Sequence, residues 1–201
     1  SASEVSQLIE DLHEVREVDD YLQIIHQIAA SGAEAAGAIP YLIKILNTDH
    51  QALRLAAIYA LGIIGQPAVE PLIASLRESG IGKEDDSVPQ PWNEGAILMD
   101  DTAFALTAVG SSAVEALISA LDDTSEWTRI NAAFALGELD SLAINAVPRL
   151  IKCLNDKSHR FVRTVLDSLG SICQNVSPFV MDISQFLLKK EPSWEEVLHS
   201  R

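Results

Sequence analysis

The sequence predicts an all-α protein in which helical hairpins stack side by side as an α-solenoid. Three observations carry this expectation. A segment of about 31 residues recurs along the chain, and each copy joins two apolar stripes at helical spacing. The 201 residues are 48% hydrophobic but only 5% aromatic, so the core is built mostly from Leu, Ile, Val and Ala. That composition argues against a sandwich or barrel, which draws more heavily on aromatic side chains.

Four segments align. They begin AIPYLIKIL, AVEPLIASL, AVEALISAL and AVPRLIKCL. Pro40, Pro71, Ala116 and Pro148 are equivalent, at spacings of 31, 45 and 32. Gly62, Thr107, Gly137 and Gly170 are equivalent too, at spacings of 45, 30 and 33. The second copy therefore carries an insertion of about 14 residues.

The first helix opens with Pro in three of the four copies, where its missing N–H costs nothing. An apolar stripe follows: Leu42, Ile43, Ile45 and Leu46 in one copy, Leu150, Ile151 and Leu154 in another. A polar turn comes next, as Asn47–Thr48–Asp49, Asp122–Asp123–Thr124 or Asn155–Asp156–Lys157. These side chains are expected to cap the second helix. The second helix is rich in Ala (Ala56, Ala57, Ala60; Ala132, Ala133, Ala135), which lets neighbouring units approach closely. Gly65 and Gly110 end it and suit a left-handed C-terminal position.

One domain is expected. Residues 1–34 form an N-terminal cap unit, and 35–65, 66–110, 111–140 and 141–175 form repeats. Residues 79–94 are an inserted loop, and 176–201 form a C-terminal cap. The stack is thus about five hairpins, with first helices on the convex side and second helices on the concave side.

An Asp followed six residues later by Arg, then an Ala-rich helix and Ala-Leu-Gly, resembles the HEAT repeat. It is most similar to the short HEAT-like repeat of phycobilisome bilin lyases. The best copy is Asp123, Arg129, Ala132, Ala133, Ala135, Leu136, Gly137. Arg54 matches the arginine position and Arg163 falls one residue late. In the insertion-bearing copy Met99 and Thr107 replace the arginine and the glycine. The resemblance covers about residues 35–175. It implies the solenoid fold, which hosts interaction scaffolds and a few enzymes.

The formal net charge is −15, from 29 acids and 14 bases. This disfavours nucleic acid, whose backbone needs clustered Lys and Arg, and anionic membrane surfaces. The charge is uneven. Residues 1–20 hold seven acids and one base, 78–101 seven and one, and 102–148 six and one, whereas 149–201 hold eight bases and six acids. A protein partner with a basic contact surface is therefore expected. Two cysteines, Cys153 and Cys173, are too few for a disulfide scaffold and read as buried thiols in a reducing compartment, so a cytoplasmic protein is expected. No run of 18 apolar residues, as a membrane-spanning helix needs, is evident.

The partner-binding candidates are Trp92 in the inserted loop, Asp100 and Asp101 at the next helix start, and Trp127, Asn131 and Glu138 on the helix that follows. Aromatic residues are enriched at interfaces, and acids beside them suit a basic partner or a cationic ligand. Acids at a helix start also serve the helix dipole, so a structural role stays open. Arg149, Lys152, Lys157, Arg160 and Arg163 are a candidate anion-binding group, with a solvated face as the alternative. Arg54, Arg129 and Arg163, next to turn acids, read as a ladder tying adjacent units together.

No metal or cofactor is expected. Diiron hydroxylases with related helical repeats use several His-Glu pairs, and only His13–Glu14 has that form here. No phosphate loop or nucleophile elbow is present either. The leading functional expectation is a non-catalytic scaffold that binds its partner through the concave face and the inserted loop. The alternative that the resemblance implies is a bilin lyase subunit, which attaches an open-chain tetrapyrrole to a cysteine through a thioether. Arg129 with Asp100 or Asp101 would then meet the propionates and the pyrrole nitrogens.

Overall fold

A computed structural model of the chain describes residues 2–79 and 100–173. The insertion beyond Ser79, with Trp92, and the 176–201 segment lie outside the described residues. The described residues are helical and contain no strand. They form the hairpins α1 (Ala2–Glu14) with α2 (Val18–Ala30), α3 (Ile39–Leu46) with α4 (Gln51–Ile64), and α5 (Val69–Ser79) with α6 (Asp101–Val109). Two more follow: α7 (Val114–Ala120) with α8 (Glu126–Glu138), and α9 (Val147–Cys153) with α10 (His159–Cys173). The protein is an all-α solenoid.

The apolar stripes meet between the layers. Leu42, Leu72, Leu117 and Leu150 of the first helices are buried against Leu61, Leu106, Leu136 and Leu169 of the second helices. Each such side chain contributes about 1.5–3 kcal/mol on burial. The second helices form their own continuous layer, α2 on α4, α4 on α6, α6 on α8 and α8 on α10. They pack on one another more extensively than the first helices do.

The repeat glycines explain that closeness. A Cβ at Gly62 would lie 2.9 Å from both Cβ and the carbonyl oxygen of Ala108, and one at Gly137 would lie 2.9 Å from Cα and Oγ of Ser168. Backbone on the neighbouring helix fills the space a side chain needs. Ser168, buried, sits within 2.7 Å of the carbonyls of both Ala133 and Thr164 and so ties α10 to α8. Thr107 holds the glycine position on α6 and donates to the Ala103 carbonyl at 3.0 Å. With a side chain there, α6 and α8 pack less extensively than the pairs on either side.

Units join at one recurring backbone feature. Gly32, Gly65, Gly110 and Asp140 have φ of 54°, 75°, 80° and 49°. The left-handed helical geometry expected at Gly65 and Gly110 does not form: ψ is −135° and −145°, in a region that is nearly glycine-only. Asp140 stands where other units use glycine, as one of the few side chains that tolerate positive φ. Asp140→Gly is expected to raise the melting temperature by roughly 2 °C, because relief of that backbone outweighs the added freedom of the unfolded chain. A lower melting temperature would show that the carboxylate contributes more than the conformation costs.

The stretch Asp101–Ala120 has a mean hydropathy of 1.5, which by length and composition alone matches a membrane-spanning helix. It breaks at Gly110 into α6 and α7, and Leu106, Val114 and Leu117 within it are buried core residues.

Candidate functional site

The turns show which polar groups are already engaged. The turn acids do not cap the second helices directly. Asp123 accepts the Ser125 N–H at 3.0 Å, and Ser125 Oγ caps α8 by accepting the Thr128 N–H at 3.3 Å. Asp156 accepts the Ser158 N–H at 2.8 Å, and Ser158 Oγ accepts the Phe161 N–H at 3.0 Å. Each acid braces the serine that does the capping. His50 precedes α4 without a side-chain cap. Asp123 also receives Arg77 Nε at 2.7 Å. Burial works to raise its pKa, but the bonds from Arg77 and the Ser125 N–H, with the charges of Arg77 and Arg129, hold it below the ordinary aspartate value.

Arg54 and Arg129 are equivalent rungs. Arg54 donates to the Thr48 carbonyl of its own turn at 2.9 Å and pairs with Asp101 of the next unit at 2.6 Å. Arg129 donates to the Asp123 and Thr124 carbonyls at 2.9 and 3.0 Å and faces Asp156 of the next unit at 3.6 Å. Arg163 does not join them. It lies one residue further along its helix, is exposed, and its side chain makes no hydrogen bond or ion pair among the described residues.

The described residues on either side of the insertion, Ser79 and Asp100, meet at one knot. Ser79, the last residue of α5, donates to the Asp100 carboxylate at 2.6 Å. Asp100 caps α6 through the Thr102 N–H at 2.9 Å, and its own N–H donates to Asn131 Oδ1 at 3.0 Å. Asn131 Nδ2 donates to the Trp127 carbonyl at 3.0 Å, and Trp127 Nε1 donates to Ser79 Oγ at 3.3 Å. Asn131 is fully buried, which corrects its reading as a partner contact: both ends of its amide are spent inside the fold. Asp100 and Trp127 belong to the same network, and Asp101 pairs with Arg54. Asp101 is thus engaged by Arg54, while Arg129 faces Asp156. Glu138 is exposed on α8.

The basic candidates spread over α9, the following turn and α10. Arg149 is paired with Asp122, while Lys152, Lys157, Arg160 and Arg163 are exposed. Cys153 and Cys173 are buried free thiols, and burial pushes both thiol pKa values up. Among the described residues no three His, Cys, Asp or Glu side chains gather as a metal site would need.

The inner layer carries a surface that the sequence reading missed. Tyr59, Phe104 and Phe134 each stand three residues before the repeat's glycine position, on consecutive second helices. Tyr59 is 55% exposed, Phe104 38%, and Phe134 half-buried. The Phe104 and Phe134 rings meet edge to face at 5.2 Å between centroids. Leu55 and Ile63, one turn to either side of Tyr59, are 58% and 49% exposed. On the next helix the same column holds Asp167, and Glu138 lies one turn beyond Phe134. The signal was available: three aromatics in one repeat column, in a chain with few aromatics, on the face that the Ala and Gly positions do not use.

A family model described as HEAT repeats matches residues 5–81 and 102–183. No curated protein matches the chain. Among solved structures, an engineered protein from a structural genomics programme is similar at 20% identity, over 94% of this chain and 91% of that one, with a TM-score of 0.39.

Proposed function

The chain belongs to the HEAT-repeat family, and from that premise we propose that it is a non-catalytic scaffold that seats a protein partner on its inner layer. HEAT repeats generally serve as protein-interaction scaffolds. The observation that carries the reading is the aromatic column Tyr59, Phe104 and Phe134 with Leu55 and Ile63 beside it, a group of large apolar side chains left in water. Such exposed patches mark interaction sites, and aromatic residues dominate the energetics of binding. The charge of −15 suits a partner with a basic rim. The inserted segment and Trp92 are proposed as a second contact, because the chain leaves at Ser79 and returns at Asp100 at one point beside α8.

Hydrogen exchange of the chain with and without its captured partner tests the placement. Slowed exchange is expected in α4, α6 and α8. Protection confined to α3, α5 and α7 would move the site to the other face.

A further inference from the structure

Resting on that reading, we infer that the inner layer receives an amphipathic helix laid along the stack, with its basic N-terminal turn at Glu138 and Asp167. The spacing of the column selects a helix. Packed neighbouring helices lie about 8–10 Å apart, so the rungs of the column recur at about that interval. Residues seven apart on a helix are about 10.5 Å apart on one face, in step with the rungs. A strand places same-face residues at about 6.6 Å intervals and falls out of step after one rung. Tyr59, Phe104 and Phe134 therefore receive apolar residues at heptad spacing, and Leu55 and Ile63 receive their neighbours at three or four residues.

The charges set the direction. Beyond Phe134 the apolar column gives way to Asp167 on α10, with Glu138 one turn from Phe134 on α8. Both are exposed, and neither side chain makes a hydrogen bond or ion pair among the described residues. Two carboxylates at that end match the positive end of a helix dipole and a Lys or Arg in its first turn. Arg163, one turn back from Asp167, lies in the row of Leu55 and confines the acidic site to the Glu138 side.

Two synthetic 21-residue helical peptides with the same heptad leucine stripe test this, one with Lys and Arg in its first turn and one with Glu. Their binding to the full chain is read by fluorescence anisotropy. The basic peptide is expected to bind at least tenfold more tightly. A Glu138→Lys, Asp167→Lys double variant is expected to reverse that order, and Tyr59→Asp with Phe104→Asp to bind neither peptide. Equal binding of the two peptides, no response to the charge variant, or equal binding of a proline-broken peptide with the same leucines would overturn the inference. So would a wild-type dimer that Tyr59→Asp converts to monomer, since a second copy would then fill the face. A protein-partner footprint on α4, α6 and α8 without peptide binding removes the helix and leaves the scaffold reading standing. Peptide binding with a footprint elsewhere does the reverse.

Discussion

Gly137→Ala is expected to lower the melting temperature by roughly 3–10 °C, although alanine is the better helix former. Helix propensity favours the change by about 1 kcal/mol. The new Cβ, however, would lie 2.9 Å from Cα of Ser168, a backbone atom that a rotamer change cannot move aside. α8 and α10 must separate, which costs about 1–3 kcal/mol as overpacking. Separation also stretches the contact of Ser168 Oγ with the Ala133 carbonyl, worth about 1 kcal/mol. For a chain of this size each kcal/mol is about 2–4 °C. Solenoid units hold together through neighbour contacts, so loosening one interface should also broaden the denaturation transition. Gly62→Ala should behave alike, since Ala108 backbone atoms lie as close. Gly170→Ala is the internal control. No described atom lies within 4 Å of its Cβ, and the substitution is expected to be neutral or stabilising by up to about 1 kcal/mol. An unchanged melting temperature in Gly137→Ala would show that the helices are not held at this separation.

Asn131→Ala is expected to cost about 2–4 kcal/mol and to loosen the junction between α5 and α6. The side chain is fully buried, so its removal leaves a small cavity and strands the Asp100 N–H. A stranded partner accounts for about 1–3 kcal/mol of the loss. Asp100 is the cap of α6, so exchange of the Thr102 amide should quicken as well. Ser79→Ala breaks the same ring at a different bond. The double variant should therefore cost less than the two single variants together, the mark of one shared network. Strict additivity would mean that the four residues act separately.

Much of this was legible in the sequence because the repeat multiplies each signal. The Pro positions, the leucine stripes and the glycines at 62 and 137 all follow from aligning the copies. The roles of Arg54 and Arg129 follow from the same alignment, and the one-residue offset of Arg163 was already a sign that it would stand apart. Other features depended on contacts between units. Asn131 reaches Asp100 across 31 residues, and nothing in either local sequence announces that bond. Capping passed from the turn acids to Ser125 and Ser158 because the acids are better placed to hold the serine backbone than the helix itself. Asp140 took a glycine position without looking like one. The aromatic column shows only as repetition of one residue class at one repeat position, whereas Trp92 and Trp127 are single residues conspicuous by type.

Quantitative affinity capture tests the central claim most directly. It compares the wild-type chain, Tyr59→Asp with Phe104→Asp, and Glu70→Lys as an exposed first-helix control. Circular dichroism must first show the same helicity and melting temperature in all three. The inner-layer variant is then expected to lose its partner by about tenfold or more, as burial of a carboxylate in an apolar contact requires, while Glu70→Lys retains it. Equal capture by the inner-layer variant and the wild type would contradict the account.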